Sequence, residues 1–196
     1  MEGRHGIRVL LDRMANSDSL RPSRVIVLGC SGSGKSTLAA KLAATLGLPL
    51  IATDDIYWRL DWSPVPPSEV LTWLEDTVSK SQWVLDGNFD AQREVLWGRA
   101  ELAVWLDLPW LTTVWRVFRR NLRWWVMRTP IWGGLRMTLP RLIGGVRHAA
   151  TSHALKRRAY PGLLASFPNL TVIHIQSPAQ LQAWLHVFSG AEQGKV

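Results

Sequence analysis

The chain has one cysteine and two tyrosines in 196 residues, and no acidic side chain between Asp107 and Glu192. A single thiol, Cys30, excludes an intramolecular disulfide and a cysteine-built zinc cluster. Residues 1–14 hold no apolar run of the length a secretory signal needs. Long apolar runs are missing elsewhere too. The longest stretch without Asp, Glu, Lys or Arg is Ala159 to Ala191, and Pro161, Pro168 and Pro178 interrupt it, so no transmembrane segment is expected. Internal repeats and low-complexity tracts are also absent. The expectation is a cytoplasmic chain of one compact domain.

The acids are unevenly spread. Residues 1–107 carry 11 basic and 14 acidic side chains, net −3; residues 108–196 carry 12 basic and one acidic, net +11. A one-sign block of that size attracts anions: phosphates, nucleic acid or acidic lipid. It is also what a solvated basic surface looks like. Twelve tryptophans accompany the basic residues, and most are expected to serve as packing.

Residues 1–22 read as a leader and 23–196 as the domain. Within it, short β-branched or apolar runs alternate with helical patterns. Arg24–Leu28, Leu48–Ala52, Gln82–Leu85, Leu102–Leu106 and Leu170–Ile175 read as five strands. Lys35–Leu46, Ser68–Lys80, Asp90–Arg99, a long helix from Pro109 and a last helix after Ser177-Pro178 read as the helices between and after them. That alternation implies an α/β fold of three layers, a parallel sheet covered on both faces. The basic, Trp-rich stretch of about 121–158 reads as a helical insertion or lid between the fourth and fifth strands.

Between the first strand and the first helix lies Gly29-Cys30-Ser31-Gly32-Ser33-Gly34-Lys35-Ser36. It matches the phosphate-loop (Walker A) pattern G-x-x-x-x-G-K-[ST] in full, in the strand–loop–helix setting that pattern requires. Glycines let successive backbone N–H groups converge on one anion, and the helix N-terminus adds partial positive charge. The expected nucleotide-holding residues are Gly29, Cys30, Ser31, Gly32, Ser33, Gly34, Lys35, Ser36 and Thr37, with Lys35 on the β- and γ-phosphates and the Ser36 hydroxyl on Mg²⁺. Cys30 sits beside a helix N-terminus, a position that can depress a thiol pKa, but it serves equally as a small filler.

Ligands of open parallel sheets bind beyond the carboxyl ends of the strands. Asp54/Asp55, Asp86 and Asp107 stand at such ends. Asp54 or Asp55 suits a base on the acceptor side. Asp86 and Asp107 compete for the metal-side role of a Walker B acid, and a strand-end Asp also suits the cap of a following turn. On the helix after Pro109, Leu111, Val114, Phe118, Leu122, Trp125 and Val126 form one apolar face, while Arg116, Arg119, Arg120 and Arg123 share an arc of about 100° on the other. Forked guanidinium groups suit a transferring phosphoryl group. Continued through Arg128, Arg136, Arg141, Arg147, Lys156, Arg157 and Arg158 among tryptophans, the same stripe also suits nucleic acid or an acidic membrane surface.

Taken in order, Gly29–Ser36, Asp54-Asp55-Ile56-Tyr57-Trp58, Trp83-Val84-Leu85-Asp86-Gly87-Asn88-Phe89, Arg93, Val104-Trp105-Leu106-Asp107-Leu108-Pro109, Arg116 and Arg119-Arg120 resemble the adenylate-kinase-like P-loop proteins labelled topology modulation proteins. The resemblance covers about residues 24–123. It implies strand order 2-3-1-4-5, which brings Asp86 near Ser36 and Mg²⁺ and favours Asp86 over Asp107. It implies a kinase-like transfer of the ATP γ-phosphoryl group to a small acceptor; the alternatives are a nucleic-acid-associated ATPase that uses the basic C-terminal half, or a nucleotide-binding module without phosphoryl transfer. Lys35, Asp54, Arg116, Arg119 and Arg120 would be the catalytic set, and Asp55, Trp58, Asp86, Gly87, Asn88 and Arg93 would line the acceptor side. The family label suggests a link to DNA. Asn88-Phe89 stands where adenylate kinases have Phe-Pro, and the nearest arginine is Arg93. The GTPase base-reading pattern Asn-Lys-x-Asp is absent, which favours ATP, and no Leu-Ser-Gly-Gly-Gln run marks a transporter ATPase.

Overall fold

A computed structural model describes residues 21–52, 59, 61–132 and 134–193, the last five by backbone alone. Asp54, Asp55, Trp58 and most of the leader lie outside the described residues.

Strand β1 (Arg24–Gly29) is buried along almost its whole length, as the centre of a parallel sheet must be. Its side chains alternate between two cores. Val25 and Val27 pack with Leu38, Leu42 and Trp184 from helices α1 (Lys35–Leu46) and α6 (Pro178–Gln193). Ile26 and Leu28 pack with Leu74, Trp97 and Tyr160 from α2 (Pro67–Ser79), α3 (Arg93–Arg99) and α5 (Leu139–Ala165). A period of two along one strand thus builds both outer layers. The remaining sheet strands are β2 (Leu50–Ala52), β3 (Trp83–Asp86), β4 (Leu102–Leu106) and β7 (Thr171–Ile175). The order across the sheet is β2-β3-β1-β4-β7, all parallel. Counting the strands of this sheet alone, it is the order expected from the resemblance.

The numbering skips because two short strands intervene. β5 (Pro130–Ile131) and β6 (Leu135–Arg136) form an antiparallel hairpin within the basic segment. A helical insertion or lid is the expectation there. The segment is instead helix α4 (Trp110–Val126), the hairpin, and the 27-residue α5. Ile131, Leu135, Met137 and Leu142 close a third apolar cluster against Phe118, Trp124 and Trp132.

Two helix starts also differ. α2 begins at Pro67 rather than Ser68, with proline pre-set for the first turn. α3 begins at Arg93 rather than Asp90. The Asp90 carboxylate is engaged elsewhere: it accepts from Tyr160 Oη at 2.7 Å and from Lys156 Nζ at 2.8 Å. Gly47 ends α1 and Ser177 caps α6 as the sequence indicates; Gly47 has φ +68°, and Gln180 N donates to Ser177 Oγ at 3.2 Å.

Candidate functional site

The glycine-rich loop follows β1 directly and feeds α1. Gly34 at the helix start has φ +96° and Gly32 has φ +79°, backbone states that favour glycine. Ser33 N donates to Cys30 O at 3.2 Å, closing a tight turn. Lys35 Nζ also donates to Cys30 O, at 3.0 Å, so the ammonium lies across the loop. Ser36 and Thr37 are exposed in the first turn of α1.

Neighbouring elements hold the loop on two sides. On the β3 side, Asn88 clips its first residue: Gly29 N donates to Asn88 Oδ1 at 2.9 Å, and Asn88 Nδ2 donates to Gly29 O at 2.8 Å. On the other, α4 presses against Gly32. A Cβ there would lie 2.2 Å from Thr113 O and 2.8 Å from Val117 Cγ2. Gly34 is different. Among the described residues a Cβ on it would meet only Arg116 Nη1, at 3.9 Å. Gly34 is thus less crowded than Gly32, and the Arg116 guanidinium is the group beside it that is not a chain neighbour.

Cys30 is buried. Burial raises its thiol pKa, outweighing the Thr113 hydrogen bond and the Lys35 charge that pull it down. The depressed value its place beside a helix N-terminus allowed is not found. Ser33 Oγ is buried without a hydrogen-bond partner, tight against Gly29.

The two candidate metal-side acids flank β1. Asp86 ends β3 opposite Val27 and Ala52 and is buried. Gly87 follows it with φ +148°. Asp107 follows β4 and is equally buried, but its Oδ2 lies 3.1 Å from His174 Nε2 and 3.4 Å from Arg157 Nε. A carboxylate only accepts, so His174 Nε2 carries the proton. Asp107 thus anchors β7 and α5.

Of the arginines proposed to act together, Arg116 lies beside the loop, its Nη1 3.9 Å from where a Cβ on Gly34 would stand. Arg119 is exposed. Arg120 lies over Trp124, its Cζ 4.6 Å from the ring centroid, and its Nε donates to Asn121 at 3.4 Å. Arg93 donates to Asp90 O at 2.8 Å and lies beside Glu94.

No family model matches the chain, and no curated protein matches it. Among solved structures it is similar to a gluconokinase from Sinorhizobium meliloti 1021, with TM-score 0.47 and 15% identity over 88% of this chain and 93% of that one. A likeness this distant decides neither family nor acceptor.

Three features of the site escaped the sequence reading. The Asn88 clip is one; a short amide beside a strand-end Asp-Gly is its only trace. The second is Thr113, whose position on α4 puts its backbone against Gly32. The third is one face of α5. His153, Lys156, Arg157 and Tyr160 recur at helical spacing and reach Leu108 O, Asp90, Asp107 and Asp90 again. His153 Nε2 lies 2.8 Å from Leu108 O and so donates to it. Tyr160 is held well above the ordinary phenol pKa, by burial first and the Asp90 charge second. Lys156 and Arg157, which one alternative placed on a polyanion-facing stripe, pair with Asp90 and Asp107.

The clip gives a testable consequence. Asn88→Ala removes two hydrogen bonds and strands two backbone groups near the loop, a cost of about 1–3 kcal/mol. The melting temperature should fall by about 3–9 °C. Asn88→Asp still accepts from Gly29 N, so it should recover part of that stability while weakening ATP binding through its charge. Thermal melts and ATP titrations of both variants test this.

Proposed function

We propose that the chain is a P-loop kinase that binds Mg²⁺–ATP and transfers the γ-phosphoryl group to a small-molecule acceptor. The observation that carries this reading is the phosphate loop itself: Gly32 and Gly34 hold left-handed backbone, Lys35 Nζ lies across the loop on Cys30 O at 3.0 Å, and Arg116 Nη1 would lie 3.9 Å from a Cβ on Gly34. Backbone donors on one side and a guanidinium on the other suit a transferring phosphoryl group.

In this reading the amides of residues 30–36 hold the phosphates and Lys35 neutralises them. The residues present fit a magnesium ion. Ser36, exposed in the first turn of α1, and Asp86, at the end of β3, offer the hard oxygen donors that magnesium takes. Bound there, Mg²⁺ would offset charge on the β- and γ-oxygens. Asp54 accepts the proton of the acceptor hydroxyl as its oxygen attacks the γ-phosphorus; the bond to the β–γ bridging oxygen breaks and ADP leaves. Arg116 stabilises the charge on the transferring group, with Arg119 and Arg120 closing from the same helix. Asp55, Trp58, Gly87 and Arg93 complete the acceptor side, while Asn88 acts through Gly29. The resemblance to the topology modulation proteins supports the same chemistry, and a cytoplasmic location accords with it. No described helix is long and apolar enough to cross a membrane.

An ATPase driven by nucleic acid finds less support, because Asp90 and Asp107 already neutralise Lys156 and Arg157. An ADP-release screen over nucleotides, nucleosides, sugars and small acids, with and without DNA, decides between the two. Stimulation by one small acceptor is expected. Stimulation by DNA alone would overturn the kinase reading.

A further inference from the structure

Helix α4 has three faces rather than two. Thr113, Val117 and Asn121 are buried. Arg116, Arg119, Arg120 and Arg123 form the second face. The third is an apolar stripe, and at about 100° per residue Leu111, Trp115, Phe118, Leu122, Trp125 and Val126 share an arc of about 100°. Phe118 and Leu122 lean partly on the hairpin cluster. The rest of the stripe faces out: Leu111 is 73% exposed, Trp115 61%, Val126 66% and Trp125 40%. Trp115 stacks on Phe118 with ring centroids 5.6 Å apart, so the stripe is continuous over that turn. An exposed apolar row of this length on a soluble domain marks an interaction surface.

We propose that this face of α4 docks on an anionic membrane surface, lying in the headgroup plane. The argument is charge complementarity. Arg123 borders the stripe on one side and is exposed, and α4 itself carries no acid. Tryptophan and leucine buried at the lipid boundary, with arginines beside them at headgroup level, are how interfacial helices bind. A second copy of this chain fits less well, since joining two α4 stripes would set the arginines of one helix beside those of the other, and α4 carries no acid. Nucleic acid fits less well too: Leu111 and Val126 offer a phosphate backbone nothing. The docking is independent of phosphoryl transfer, because Leu111, Trp115 and Val126 have no part in the phosphate site.

The test is flotation of the full chain with phosphatidylcholine vesicles, with and without phosphatidylglycerol as the anionic lipid. The chain is expected to float with the anionic vesicles only. Leu111→Glu combined with Trp115→Glu should weaken that binding more than tenfold, and Val126→Glu should weaken it from the other end of the helix. Arg123→Ala should cost about fivefold, and added salt should lower binding. ATP affinity and melting temperature should stay at wild-type values in all of these, which separates docking from folding and from the kinase reading. Absence of flotation, equal flotation with neutral vesicles, or unchanged flotation of the double variant would overturn the proposal. So would a wild-type dimer that the double variant converts to monomer.

Discussion

Lys35→Ala is expected to weaken ATP binding by about two to three orders of magnitude. The ammonium lies across the loop on Cys30 O at 3.0 Å. A triphosphate there exchanges water for backbone donors and this one flexible charge. Losing a charge-assisted contact to a largely desolvated anion costs about 3–4 kcal/mol, and each 1.4 kcal/mol is about tenfold. Lys35 also braces the loop through Cys30 O, so part of the loss will come from a looser cradle. Lys35→Met keeps the stem without the charge and should lose nearly as much. Calorimetric titration measures both. Unchanged affinity in either, with a melting temperature near wild type, would mean that the nucleotide sits elsewhere or does not bind.

The Lys35 prediction rests on the part of the molecule that sequence describes best. β1, the loop and α1 are local: β-branched residues, then glycines where the backbone needs positive φ, then an Ala/Leu helix. The five sheet strands were legible for the same reason, each being a short apolar run bounded by polar residues. The hairpin was not. Its strands are two residues each, too short for any alternation to register. The orientation of α4 was hidden for a different reason. Its inward side chains include Thr113 and Asn121, polar residues admitted because the opposing backbone is glycine. Thr113 O sits over Gly32, and Asn121 Nδ2 would lie 2.7 Å from a Cβ on Gly145. Close approach is encoded by a small residue on the partner, not by hydrophobicity on the helix, so the most apolar stripe is not the buried one. The pairing of Lys156 and Arg157 was not legible because their acids lie 66 and 50 positions earlier in the chain, at Asp90 and Asp107. A run of like charges in sequence says nothing about which strand ends it will meet.

The same contact makes Gly32 the most vulnerable glycine of the loop. Gly32→Ala is expected to lower the melting temperature by about 5–15 °C and to weaken ATP binding as well. Two costs combine. A left-handed backbone costs an L-residue about 1 kcal/mol. The added Cβ would also lie 2.2 Å from Thr113 O and 2.8 Å from Val117 Cγ2. The first neighbour is a helix carbonyl that cannot swing aside, so either α4 backs away or the loop deforms, at about 1–3 kcal/mol. For a domain of this size each kcal/mol is worth about 2–4 °C. If α4 moves, Arg116 withdraws from Gly34 with it. Gly34→Ala is the matched control. Its φ of +96° is of the same kind, but the nearest group is the end of a flexible arginine at 3.9 Å. Its melting temperature should therefore fall by only about 2–4 °C, the conformational share alone. The difference between the two variants isolates the packing of α4 on the phosphate loop. Equal melting temperatures would show that α4 does not seat there, and the route by which Arg116 reaches the phosphoryl group would fail with it.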